Sequence, residues 1–246
     1  RQSTGKLDAA LERALGDPDP TVRQHAVEAY AAHGRTRELR PLYDDPSVGV
    51  RSALVRGLLT AATDDARTQF ERLATADDPA ARAAAAGLHM LTDAASGQWF
   101  TRLLTDPHED VVAATLRGGA RSQPPPWPQG WLQFFDSPRL RPAATELAQA
   151  WARQDAAVLI DCVDAADTPD NARLSLVAAL EPATGNAVAS ALQRWLQSAD
   201  DTLRGATLAV ILARRDRQGL RPPASHPVEG CLSREMETAL CWQTAA

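Results

Sequence analysis

Aspartate and arginine recur along this chain at a fixed distance of six residues. The pairs are Asp17 with Arg23, Asp45 with Arg51, and Asp167 with Arg173, and Asp106 stands in the same relation to Val112. A guanidinium is a planar fork of N–H donors that grips a carboxylate or a phosphate through two parallel hydrogen bonds. A row of such forks could bind an anionic ligand, or each could take an internal carboxylate and fix a turn. The internal role is the expectation, because the carboxylates come with the same repeat as the arginines. Arg82, Arg141 and Arg204 continue the series, and a ladder built this way should skip a rung at Val112. Other groups with chemistry are sparse. Five histidines and three cysteines are scattered, with no Cys-x-x-Cys and a single His-Glu pair, His108-Glu109. A metal needs several convergent ligands, so neither metal nor organic cofactor is expected. No phosphate-binding glycine loop, nucleophile elbow or Ser/His/Asp grouping is present.

The elements that position these residues are read from the anchors at 23, 51, 82, 112, 141, 173 and 204, spaced 28, 31, 30, 29, 32 and 31 residues apart. The residue before each anchor is apolar (Val22, Val50, Ala81, Val111, Leu140, Ala172, Leu203). Offsets −1, +3, +4 and +7 are mostly apolar, which is one stripe of a 3.6-residue period. Each anchor therefore belongs to a helix. A shorter amphipathic helix precedes it, such as Leu7 to Leu15, and an Asp-Pro turn separates the two, because proline cannot continue a helix and aspartate accepts free N–H groups. Offset +2 is small in nearly every copy, which predicts close contact between successive second helices. Offset +5 lies about 140° from the anchor and points away from the apolar stripe. It is occupied by Glu28, Arg56, Gly87, Arg117, Glu146, Ala178 and Ala209. Of these, Glu28, Arg56, Arg117 and Glu146 are the candidate contacts for a protein partner.

Composition agrees with helix. Of 246 residues 48 are alanine and 5% aromatic, and alanine loses no side-chain entropy in a helix. No apolar run approaches the 18 or so residues of a membrane span. The net charge of −5 argues against a nucleic-acid partner, which usually meets a positive stripe. All basic residues but Lys6 are arginine. With no cysteine framework and no leader-like apolar segment, the cytoplasm is the expected compartment.

The pattern Asp-Pro-x-x-x-Val-Arg-x-x-Ala, sharpest over 17–26 and 45–54, resembles HEAT repeats of the short, phycobilisome-lyase-like variety. The resemblance spans about Leu7 to Ala213. It implies an all-α fold, a right-handed α-solenoid of about seven helical hairpins, forming a single domain over 1–246. It also implies that Asp17, Arg23, Asp45, Arg51, Arg82, Asp106, Arg141, Asp167, Arg173 and Arg204 form a structural Asp–Arg ladder. A proline-rich break is expected at 122–128, a loop at 214–228 and a capping helix at 229–243. The function this implies is a non-enzymatic scaffold or adaptor that binds another protein. Relatives of the repeat offer two enzymatic alternatives, a bilin-type lyase or chaperone and an alkyl-base DNA glycosylase. In the second, Trp151 and Asp155 would share a helix face, with Trp127 and Trp131 upstream. The arginines at 214, 215, 217 and 221 form the one basic patch, read as a solvated loop. Deoxyhypusine hydroxylase, similar in repeat type, holds two irons through His-Glu pairs just after the anchor; here those positions read Gln24-His25, Ser52-Ala53 and Ala83-Ala84 in the first three copies.

Overall fold

The computed structural model describes residues 2–88, 96–126 and 130–218. The expected capping helix at 229–243 lies outside the described residues, as do Trp127, Cys231, Cys241 and Arg221. The described residues are helical throughout, with no strand among them, and no described helix is long and apolar enough to cross a membrane.

Every anchor lies in or at the start of a second helix. These are α2 (Pro20–Ala32), α3 (Val48–Thr60), α5 (Pro79–Ala86), α7 (Glu109–Ala120), α8 (Arg141–Gln154), α10 (Asp170–Ala179) and α12 (Asp201–Gln218). Ahead of them come α1 (Gln2–Leu15), α4 (Ala66–Ala74), α6 (Ser96–Leu104), α9 (Ala156–Asp164) and α11 (Asn186–Trp195). Repeats two and five depart from the expected helical pair. Their first elements are 3-10 segments, Thr36–Leu42 and Trp131–Phe135. Pro41 removes a donor inside the first of these, and the second is only five residues long between Gly130 and Asp136.

The turns follow from local chemistry. Asp17, Asp45 and Asp106 each accept the N–H two residues on, from Asp19 at 2.9 Å, Ser47 at 2.8 Å and His108 at 2.9 Å. The following helix then receives its own cap. Asp19 accepts the Thr21 N–H ahead of α2, Ser47 the Val50 N–H ahead of α3, and Asp78 the Ala80 N–H ahead of α5. Pro20 and Pro79 sit in the first turn, where the missing N–H costs nothing.

The chain divides into two compact units, Arg1–Pro126 and Trp127–Ala246. The boundary falls inside the proline-rich break at 122–128. In the first unit α2 packs on α3, α3 on α5, and α5 on α7, while each first element packs on its own second helix. In the second unit α8 packs on α10 and α10 on α12 in the same manner. The apolar stripe is the inward face in both: Val50, Leu54, Val55 and Leu58 are buried in α3, and Ala172, Leu176, Val177 and Leu180 in and after α10. Trp131 and Phe135 meet edge-on at 5.3 Å in the second unit.

Close approach of second helices is most acute at Gly57. A Cβ placed there would lie 2.6 Å from the Ala31 Cβ on α2, well inside van der Waals contact. Gly57→Ala therefore lowers stability by about 1 kcal/mol or more, even though alanine is the better helix former by roughly 0.5–1 kcal/mol. Equilibrium urea unfolding checks this, and a stabilised variant would show that α2 and α3 can move apart freely.

One boundary differs from the sequence reading. The loop expected over 214–228 is not formed at 214–218, which belong to α12, and its remainder lies outside the described residues. Arginine and glutamine, four of the five residues at 214–218, are good helix formers, and the breakers Gly219, Pro222 and Pro223 come only afterwards in the sequence. Arg214 is buried on this helix and is not part of a solvated basic loop.

Candidate functional site

The anchor arginines share one local task. Each guanidinium donates to backbone carbonyls of the turn five to eight residues before it. Arg23 Nη1 reaches Asp17 O at 2.7 Å and Pro18 O at 3.1 Å, and Arg51 Nη1 reaches Asp45 O at 2.5 Å and Pro46 O at 3.2 Å. Arg82 Nη1 takes Ala76 O and Asp77 O, both at 2.8 Å. In the second unit Arg141 Nε donates to Phe135 O at 2.9 Å, Arg173 Nη2 to Thr168 O at 3.2 Å, and Arg204 Nη1 to Ser198 O at 2.6 Å.

The carboxylates are shared differently from the six-residue reading. Arg23 grips Asp45 of the next repeat, with Nε to Oδ2 at 2.8 Å and Nη2 to Oδ1 at 2.9 Å. Arg82 likewise grips Asp106, at 2.7 Å and 3.1 Å. The partner is 22 or 24 residues away, and only the backbone of the six-residue neighbour is used. These rungs are well covered, with side-chain exposures of 13% and 3% for Arg23 and Asp45 and 14% and 8% for Arg82 and Asp106.

Electrostatics follow from the pairing. Burial by itself would raise the Asp45 carboxyl, but hydrogen bonds from Arg23 and the Ser47 N–H, with the Arg23 and Arg51 charges, hold it below the ordinary carboxylate value. The Arg82 hydrogen bond lowers Asp106 against a smaller opposing effect of burial. Asp45 and Asp106 hydrogen bonds in turn raise Arg23 and Arg82.

Elsewhere the ladder is interrupted. Asp17 accepts the Asp19 backbone N–H. Val112 carries no guanidinium where the other anchors carry one. Asp167 is exposed and takes no ion pair among the described residues, so the expected rung there is absent. Arg173 and Arg204 pair within their own first turns, with Asp170 and Asp201. Ser198 stands where aspartate stands in the turns of Asp45 and Asp106, so that turn offers Arg173 no carboxylate at this position.

The outward offset +5 positions are exposed at Glu28, Arg56, Gly87, Glu146, Ala178 and Ala209, while Arg117 is half-buried. Glu28 accepts a hydrogen bond from Gln24 on the same helix.

Asp155 is the N-cap of α9 with φ −149°, and its carboxylate accepts the Ala157 N–H at 3.0 Å. It therefore leaves the helix that carries Trp151, and the shared face is not formed; Trp131 is buried in the core. His108 and Glu109 begin α7. Among the described residues no three His, Cys, Asp or Glu side chains converge as metal ligands would. Burial, with Asp161 and Asp167 adding to it, raises the Cys162 thiol, which disfavours the reactive thiolate.

A cavity of about 270 Å³ opens beside Arg51, with Gln69 and Arg72 of α4 in its wall. The spacing argument does not single out Gln69 or Arg72. The one signal available in the sequence is Ala76, which stands six residues before Arg82 where Asp45 and Asp106 stand before theirs.

No family model matches the chain, and no curated protein matches it.

Proposed function

We propose that this chain is an α-solenoid of short HEAT-like repeats that acts in the cytoplasm as a non-enzymatic scaffold, binding another protein along the outward face of its second helices. The observation that carries the reading is the repetition of that face. One helical offset is turned to solvent in repeat after repeat, and within each unit the second helices lie side by side. Stacked repeats whose members contact only their neighbours present extended surfaces of this kind, and such surfaces recognise partners. Charges of both signs at Glu28, Arg56, Arg117 and Glu146 suit a partner with mixed charge, whereas Ala178 and Ala209 offer small apolar contacts. A phosphate backbone would meet the excess of carboxylates on this chain, which disfavours nucleic acid.

Photo-crosslinking tests the reading. A crosslinking amino acid at position 56 should capture a specific protein in the native host, and one at Arg67, exposed on α4, should not. The pair Glu28→Arg and Arg56→Glu should weaken that capture, most at low ionic strength, where exposed charges are least screened. Equal capture from both positions, or capture indifferent to the reversal, would place the binding surface elsewhere.

A further inference from the structure

The interrupted rung between repeats two and three coincides with the cavity. Arg23 and Arg82 each use Nη1 for two turn carbonyls and the Nε/Nη2 edge for an aspartate of the next repeat. Arg51 uses Nη1 in the same way, for Asp45 O and Pro46 O. Among the described residues its Nε/Nη2 edge has no protein acceptor, because the residue that should supply one is Ala76. Arg51 and Ala76 both line the cavity of about 270 Å³.

The remaining wall favours an anion with an apolar stem. Leu54, Val55 and Leu73 supply apolar surface. Gln69, only 9% exposed, accepts from Arg72 through Oε1 at 3.3 Å, which fixes the amide orientation and leaves its NH2 group as a donor without an acceptor among the described residues. Asp44 is compensated by Arg72 at 2.5 Å, and the Tyr43 hydroxyl donates to Asp65 at 3.0 Å. The lining thus carries one net positive charge, that of Arg51. The volume falls just under the roughly 300 Å³ at which small-molecule pockets begin, so the ligand group is small.

We propose that this cavity binds a carboxylate on a short apolar stem, held by the Arg51 fork in the place that Asp45 and Asp106 occupy on Arg23 and Arg82. A bidentate guanidinium–carboxylate pair is the geometry the neighbouring rungs already show. The ligand is a free short-chain acid, or the same group presented by a peptide. This inference stands apart from the outward partner face and does not depend on it.

Amide NMR titration of the full chain tests it. Butyrate should cause saturable shifts around Val55 and Ala76, and butyramide, of the same shape without the charge, should cause none. N-acetylleucine and N-acetylglutamic acid amide distinguish a chain-end from a side-chain carboxylate. Ala76→Asp should supply the missing internal carboxylate, raise the melting temperature and weaken butyrate by about tenfold or more. The backbone carbonyl that Arg82 uses at position 76 is retained in that variant. Arg51→Ala should abolish binding, but it also frees the turn, so the Asp variant is the cleaner arm. The proposal is overturned if none of the carboxylates gives a saturable shift, if butyramide matches butyrate, or if Ala76→Asp folds and binds butyrate as the wild type does. Should that variant not fold, the comparison of butyrate with butyramide decides.

Discussion

Phe70→Ala is expected to lower the unfolding free energy by about 3–5 kcal/mol, the range for deleting a fully buried aromatic ring. Phe70 is 0% exposed on α4, and the Trp99 ring meets it edge-on, with centroids 5.4 Å apart and planes at 84°. Two losses add together. The ring's apolar surface is no longer transferred from water, and Trp99, itself covered by Arg102 at 4.9 Å, loses its edge-on aromatic neighbour. Against a typical domain stability of about 5–15 kcal/mol this is a large fraction. Urea unfolding followed by circular dichroism measures it, with Phe70→Leu as a milder control that keeps most of the volume. A loss below about 1 kcal/mol would mean that α4 and α6 do not close over a packed core.

The second helices were legible because three independent signals coincide in them: the anchor arginine, the apolar stripe and the Asp-Pro start. The stripe reads correctly even where arginine is absent, as at Val111, Thr115 and Leu116, all fully buried. Two of the first elements are very short, and a few residues of periodicity do not separate an α-helix from a 3-10 turn, so Thr36–Leu42 and Trp131–Phe135 escaped distinction. The direction of the Asp–Arg pairs was hidden for a geometric reason. Asp45 is six residues from Arg51 and 22 from Arg23, and both arginines reach its turn from adjacent helices. Sequence distance favours the nearer one, but the Asp45 carbonyl already occupies Arg51 Nη1, while the carboxylate faces Arg23. The outward offset at Glu28, Arg56 and Glu146 was recoverable because it depends only on helical phase. The cavity was not, since it arises from a residue that is missing from a pattern whose direction had first to be known.

Asp45→Ala should cost about 2–3 kcal/mol, the range for removing the partner of a well-covered guanidinium. The carboxylate has two tasks, gripping Arg23 from the preceding repeat and accepting the Ser47 N–H that starts α3. A double-mutant cycle with Arg23→Ala separates them: the coupling belongs to the rung, and the remainder belongs to the turn. The penalty is also expected to depend on pH with a definite sign. The folded-state carboxyl of Asp45 titrates below its ordinary value: burial alone would raise it, but hydrogen bonds from Arg23 and the Ser47 N–H, with the Arg23 and Arg51 charges, together outweigh burial. A lowered carboxylate contributes its full stability above the unfolded value, near 3.9, and loses it as pH falls through the folded one. The gap between wild type and Asp45→Ala should hold steady from neutral pH to about pH 5 and narrow below about pH 4. Asp106 follows the same rule through Arg82, so the matching substitution at Asp106 should show the same narrowing. A gap that stays constant in acid would mean that the Asp45 carboxylate gains nothing from Arg23 in the folded chain. Comparison with Arg51→Ala is the milder arm: that substitution removes the turn contacts of an anchor and one of the charges that lower Asp45, but no carboxylate, so its penalty should be smaller and should narrow less in acid.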